Sequence, residues 1–289
     1  MEIGKYGVWF FLDAMSAAQG AQFAQKVEKL GYSALWIPEA VGREPFAEIG
    51  FLAAQTQKLI LATGIANIWA RDPMTMMAGA RTLAEVSGGR FVLGIGVSHE
   101  PLVRIRGREF VKPYSYMREY VPKMKSAMYQ AVKPAEEPPI VIAALHPKML
   151  AFAASDTHGT HTYFVPPEQT AKARSIVGPN AWICAAQAVI LETNPSVARD
   201  AARDYMKTYT RLPNYANMLK ALGFTDADFA DGGSDRMVDA VVAWGNEDQI
   251  RARIAAHHRA GATHVCILPL RADKKPMPDE RTMEALAPH

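Results

Sequence analysis

Two cysteines are all that this chain of 289 residues contains. Both, Cys184 and Cys266, sit inside apolar runs of β-like composition, so neither a disulfide framework nor a cysteine-based metal cluster is available, and both read as small buried hydrophobes. Long hydrophobic runs are missing as well: nothing approaches the roughly 20 apolar residues of a membrane-crossing helix. The N-terminal segment offers only the short apolar run 8–12 before Asp13 and no small-residue cleavage site, which makes a cytoplasmic, reducing setting the expectation. Charge of one sign is also lacking. A balance of 32 basic against 29 acidic residues, net +3, is too small to suggest nucleic acid or an anionic membrane as a partner.

Several catalytic signatures are absent too. There is no P-loop and no G-x-S-x-G elbow, which removes two large classes of nucleotide enzyme and hydrolase. His146, His158, His161, His257, His258 and His264 show no H-E-x-x-H or comparable ligand spacing, so metal binding is not expected. The run from Gly94 to His99 (GIGVSH) invites a dinucleotide reading. It fails because His99 stands where the third glycine belongs, and Pro101 argues against a helix opening there.

What is present is 49% hydrophobic and 21% charged, the composition of a globular chain able to bury a sizeable core. Strand-like and helix-like segments alternate along it, as parallel strands joined by crossovers require. Strands are expected at 6–12, 34–38, 59–67, 91–97, 140–145, 160–165, 181–191 and 263–270. The first helix carries Phe23, Val27 and Leu30 on one face and stops at Gly31. The third is the best delimited, with Asp72 as N-cap, Pro73 at its first position, Met77, Ala80 and Ala84 on one face, and Gly88-Gly89 as the stop. A helix is expected near 114–131, an extended helical stretch over 195–243, and a last helix over 247–260. Eight apolar parallel strands fit one closed (β/α)8 barrel spanning residues 1–289, with a helical insertion before the last strand; an open doubly wound sheet is the alternative that pattern alone leaves standing.

In a barrel, chemistry sits at the C-terminal strand ends. There Glu39 follows the second strand beside Trp36 and Ile37, either as an acid or base of altered affinity for its proton or as a solvated loop carboxylate. Gly64, Ile65, Ala66 and Asn67 end the third strand, where a bulge would aim backbone donors into the mouth; Asn67 could equally cap a turn. Gly96, Val97, Ser98 and His99 end the fourth, where Gly96 would either admit a planar ring or phosphate or simply ease packing and Ser98 and His99 would offer donors, while Gly94 reads as packing. Beyond it, Arg104, Arg106, Arg108 and Lys112 form a basic loop that could receive an anionic ligand tail or simply be solvated.

Taken together and in order, the segments 7–11, 30–39, 62–67, 89–99, 240–245 and 260–265 resemble luciferase-like flavin and deazaflavin oxidoreductases, most closely the coenzyme F-420 branch. The resemblance implies a usually dimeric barrel that holds a deazaflavin ring, or alternatively FMN, across the strand ends. It also implies a non-prolyl cis peptide at Gly64-Ile65, and it aligns Glu39 and His99 with the family's acid and polar group. The position after Glu39, often His in relatives, is Ala40. Where relatives carry Gly-Pro-Lys beside the cofactor phosphate, this chain has His146-Pro147-Lys148. The activity implied is hydride transfer between coenzyme F-420 and a small organic substrate. The alternatives are an FMN-dependent monooxygenase and a barrel that binds a ligand without turning it over.

Overall fold

The strands run parallel and are buried on both faces, which is why they read as continuous apolar stretches. The structure, a computed structural model, describes residues 1–288. Strand β1 (Tyr6–Trp9) is followed by helix α1 (Ala17–Lys29), β2 (Ala34–Ile37), α2 (Pro45–Gln55) and β3 (Ile60–Thr63). After a two-residue bulge come β4 (Ala66–Asn67), α3 (Pro73–Val86), β5 (Phe91–Gly96), the short α4 (Glu100–Arg104) and α5 (Pro113–Lys125). Next are β6 (Ile140–Ala143), α6 (Pro147–Asp156), β7 (Gly159–Tyr163), α7 (Pro167–Val177) and β8 (Trp182–Leu191). An insertion of α8 (Pro195–Tyr209), α9 (Pro213–Lys220), a 3-10 segment (Asp226–Gly232) and α10 (Asp235–Val241) leads to β9 (Val242–Gly245), α11 (Glu247–Arg259), β10 (His264–Pro269) and α12 (Glu280–Ala285).

Eight strands close on themselves in the order β1, β2, β3, β5, β6, β7, β8, β10 and back to β1. The barrel is therefore closed, and the open sheet is excluded. Strand β8 is long enough to serve three neighbours. Its residues from Trp182 pair with β7 and those from Cys184 to Val189 with β10, while Ala188 to Leu191 pair with β9.

Local chemistry sets the helix ends. Ser16 and Gln19 form a capping box on α1, and Asp72 accepts from the amides of Met74 and Thr75 to start α3. Gly31, Gly88 and Gly89 adopt the positive φ that ends α1 and α3.

Three expectations need correction. The helical stretch over 195–243 is broken into four pieces, and its last two residues belong to β9, because the outer half of β8 offers an unpaired edge there. The helix near 114–131 ends at Lys125. A helix does open after β5: Pro101 falls in the first turn of α4, where a missing amide costs nothing. The dinucleotide reading is excluded instead by the closed barrel and by His99.

The barrel interior contains an aromatic and imidazole layer. The ring of Trp36 stacks on that of His161 at 4.7 Å, and its Nε1 donates to His264 Nε2 at 3.0 Å. His264 Nδ1 lies 2.9 Å from the Gly4 carbonyl, so that nitrogen carries the hydrogen and the ring is neutral. Outside the barrel wall, the Thr170 hydroxyl and Gln187 Oε1 flank His257 at 2.9 and 2.8 Å, tying α7 and α11 to β8. Burial lowers His161 and His264 to about 4 and His257 to about 3.

These rings predict an acid-sensitive fold. A histidine in the unfolded chain protonates near pH 6.5, whereas these three stay neutral in the folded protein, so the unfolded state binds more protons below that pH. Their contribution is complete above pH 6.5 and is lost as pH falls towards 4, at up to roughly 4 kcal/mol per pH unit for three protons. Urea unfolding at pH 7.0 and 5.5, a window above most carboxylate titration, should show a marked drop in midpoint. An unchanged midpoint would mean that the rings are charged in the folded state.

Candidate active site

The site is built on the crossing of β3 and β5. The Thr63 hydroxyl donates to the Gly94 carbonyl at 2.7 Å and accepts from the Gly94 amide at 2.9 Å. A β-carbon at position 94 would lie 2.0 Å from the Thr63 carbonyl oxygen, so the packing reading of Gly94 holds. Directly after Thr63 the Gly64-Ile65 peptide is cis, as the family resemblance implies. Trp9 Nε1 donates to the Gly64 carbonyl at 2.7 Å. The Ile65 side chain then lies over Gly96, where a β-carbon would meet its Cδ1 at 2.7 Å. Gly96 thus makes room first for Ile65, and the two form an apolar floor at the strand ends.

The backbone donors of this bulge are largely committed within the protein. The Gly64 amide bonds to the Ile37 carbonyl, the Ile68 amide to the Gly96 carbonyl, and the Asn67 amide to Glu39. Asn67 does cap a turn, its Oδ1 accepting from the Trp69 amide at 2.9 Å. Ala66 is fully buried beside Ile95. Val97 accepts through its carbonyl from Trp69 Nε1 at 3.0 Å, and Ser98 has φ of 56°, a left-handed turn that swings the chain out of β5.

Glu39 is not the solvated carboxylate that its loop position suggests. Its side chain is 4% exposed; Oε2 accepts from the Asn67 amide at 2.8 Å and from Arg71 Nη1 at 2.7 Å, and Oε1 faces Arg106 Nη2 at 3.3 Å. Arg71 is in turn paired with Glu44 and lies over the Phe46 ring at 4.7 Å. The basic loop is accordingly split: Arg106 turns inward to Glu39 and the Ala40 carbonyl, Arg104 pairs with Glu100, and Arg108 and Lys112 are exposed.

His99 is the opposite case. It is half-buried at the start of α4, its ring makes no hydrogen bond among the described residues, and it lies 5.3 Å from the Tyr215 ring at 48°. Burial lowers its pKa from the ordinary 6.5, so its ring is neutral and free to accept or donate at neutral pH. His146, expected beside a cofactor, opens α6 and has its Nε2 3.2 Å from the Asn214 carbonyl on α9. It contacts the insertion.

Sequence reasoning missed the aromatic wall of the mouth. Tyr163, at the end of β7, packs on Trp9 at 4.7 Å and on Tyr209 at 5.1 Å, and its hydroxyl donates to that of Tyr209 at 2.9 Å. Phe164 packs on Tyr209 and Tyr215 at 5.2 and 5.3 Å. The available signal was the helical spacing of Ala198, Ala201, Ala202, Tyr205 and Tyr209, which gives α8 one apolar face.

A closed parallel barrel with its polar and aromatic groups gathered at the C-terminal strand ends belongs to the class of barrel enzymes that place chemistry there. Within that class the family is defined: the model of the luciferase-like monooxygenase family matches residues 5–264, and the chain belongs to that family. Among relatives, a Mycobacterium tuberculosis protein proposed to be a coenzyme F-420-dependent oxidoreductase is 23% identical over 92% of this chain and 94% of its own. The 5,10-methylenetetrahydromethanopterin reductase of Archaeoglobus fulgidus is 25% identical over 94% and 95%. In fold, an F-420-dependent secondary alcohol dehydrogenase in complex with an F-420-acetone adduct superposes with a TM-score of 0.78 at 14% identity, covering 99% of this chain and 98% of its own.

The Glu39 brace carries a stability prediction. Removing one partner of a buried ion pair costs about 3–5 kcal/mol, because the other charge is left uncompensated. Glu39→Ala should therefore lower the urea midpoint strongly, and Glu39→Gln, which keeps an acceptor for the Asn67 amide, should lower it less. Equal and small losses in both variants would show that the brace is dispensable.

Proposed function

We propose that the protein is a coenzyme F-420-dependent oxidoreductase that moves a hydride between the deazaflavin and a small organic substrate. The observation that carries this reading is the apolar floor of Ile65 seated on Gly96, with His99, unbonded among the described residues, three residues further along the chain. The names of the two relatives support it.

The residues present fit a planar redox ring. Ile65 would lie against its face with Gly96 beneath it, Val97 and Ser98 would border its edge, and the buried Ala66 and Asn67 would support this floor from behind. His146 and the exposed Arg108 and Lys112 would lie towards an anionic tail. When bound, the deazaflavin supplies the carbon that gives or takes the hydride. His99 manages the accompanying proton, and Glu39 positions the Asn67 backbone rather than touching reactants. Free buried thiols at Cys184 and Cys266 suit a reducing cytoplasm, and a homodimer is the assembly that the family resemblance suggests.

Titration with coenzyme F-420 and, separately, FMN, followed by ligand fluorescence, should show at least tenfold preference for the deazaflavin. Preference for FMN would move the reading to a monooxygenase, and binding of neither would remove both.

His99→Gln should leave deazaflavin affinity within about twofold and slow turnover by roughly 10²–10⁴, the usual worth of a positioned acid–base group. It should also abolish the limb of the pH–rate profile below pH 6.5, where the wild-type ring becomes charged. Unchanged turnover and an unchanged profile would remove His99 from the mechanism.

A further inference from the structure

The aromatic wall also indicates what the mouth admits, an inference that rests on the oxidoreductase reading because it concerns the same site. Successive residues of a strand point to opposite faces. Tyr163 and Phe164 nevertheless both contact Tyr209 and Tyr215. They can do so because Phe164 has φ of 60°, a left-handed backbone that is rare for a bulky residue and turns its ring back to the side Tyr163 occupies. Such an outlier points to a functional constraint rather than to a requirement of the barrel. Tyr163 and Tyr209 remain half-buried, with their hydroxyls joined, and His99 faces Tyr215.

Charge is missing from this wall. Glu39, just beyond the end of β2, is already matched by Arg71 and Arg106. The charged residues of α8 are engaged elsewhere: Asp200 with Lys274, Arg203 with Asp235, and Asp204 with Lys207. An ionic substrate lying against the exposed parts of these rings would lose water without gaining a counter-charge from them, a penalty for any buried charge.

We propose that His99, Tyr163, Tyr209 and Tyr215 bound the substrate subsite, and that it takes an uncharged small molecule with an aromatic or aliphatic body while excluding carboxylates and phosphate esters. The tyrosine hydroxyls and the His99 ring supply the polar contacts, and the ring faces supply the affinity.

The test uses the full chain with three probes of like size: benzyl alcohol, benzoate and benzyl phosphate. Binding is followed by saturation-transfer NMR and calorimetry at pH 7.5, with and without bound deazaflavin. Benzyl alcohol should bind at least tenfold more tightly than either anion. Tyr209→Ala and Tyr215→Ala should weaken it at least fivefold, while Tyr209→Phe and Tyr215→Phe, which keep the rings and control for folding, should hold it within about threefold. Equal or tighter binding of an anion, indifference to both alanine variants, or binding of none of the three would overturn the proposal. Deazaflavin fluorescence read on the same samples separates the two readings: selective benzyl alcohol binding without deazaflavin binding would leave the subsite standing and sink the cofactor assignment.

Discussion

No side chain fits at position 94, because a β-carbon there would sit 2.0 Å from the Thr63 carbonyl. That close approach lets the Thr63 hydroxyl bond both the amide and the carbonyl of Gly94, which locks the end of β3 onto β5. With the crossing fixed, the chain leaves β3 through Gly64 and Ile65, and β4 resumes on the outer half of β5. The Ile65 side chain must then go over residue 96, which is why that residue is also glycine. The Asn67 amide arrives where Glu39 can accept from it, and Glu39 in turn holds Arg71 and Arg106. Floor, brace and basic loop all follow from one contact too close for a β-carbon.

The barrel was legible in the sequence because two-sided burial makes parallel strands continuously apolar, and because Asp72-Pro73 and Gly88-Gly89 punctuate a helix by their own backbone chemistry. The short elements were not. Strand β9 exists because β8 overshoots the barrel and offers an edge, and helix α4 opens despite Pro101 because its first turn tolerates the lost amide. Neither fact is carried by local composition.

Site residues divide in the same way. Gly94 and Asn67 could be read locally, since one answers to backbone geometry and the other to a turn, whereas the room at Gly96, read as space for a planar ring, is taken first by Ile65. Glu39 could not, because its meaning depends on Arg71 and Arg106, brought to it by two other loops. Tyr209 and Tyr215 were hidden for a related reason. Tyr209 continues the apolar face of α8 and Tyr215 lies on the separate helix α9, and nothing in either spacing says that both meet the end of β7, where Phe164 turns with left-handed backbone.

Glu39 and His99 were matched candidates for the proton, and the proposed assignment to His99 rests on what their lone pairs already do. A general acid or base must have an open position facing the reacting atom. Glu39 has both oxygens occupied by an amide and two guanidinium groups, so using it would mean breaking the brace that positions the floor. Among the described residues His99 has no such commitment, and burial favours its neutral ring, with one nitrogen to accept and one to donate. The proposed division of labour rests on this packing: the carboxylate is used up in holding the β3–β5 contact to the loops, and the proposal therefore gives the proton to the imidazole beside the aromatic wall.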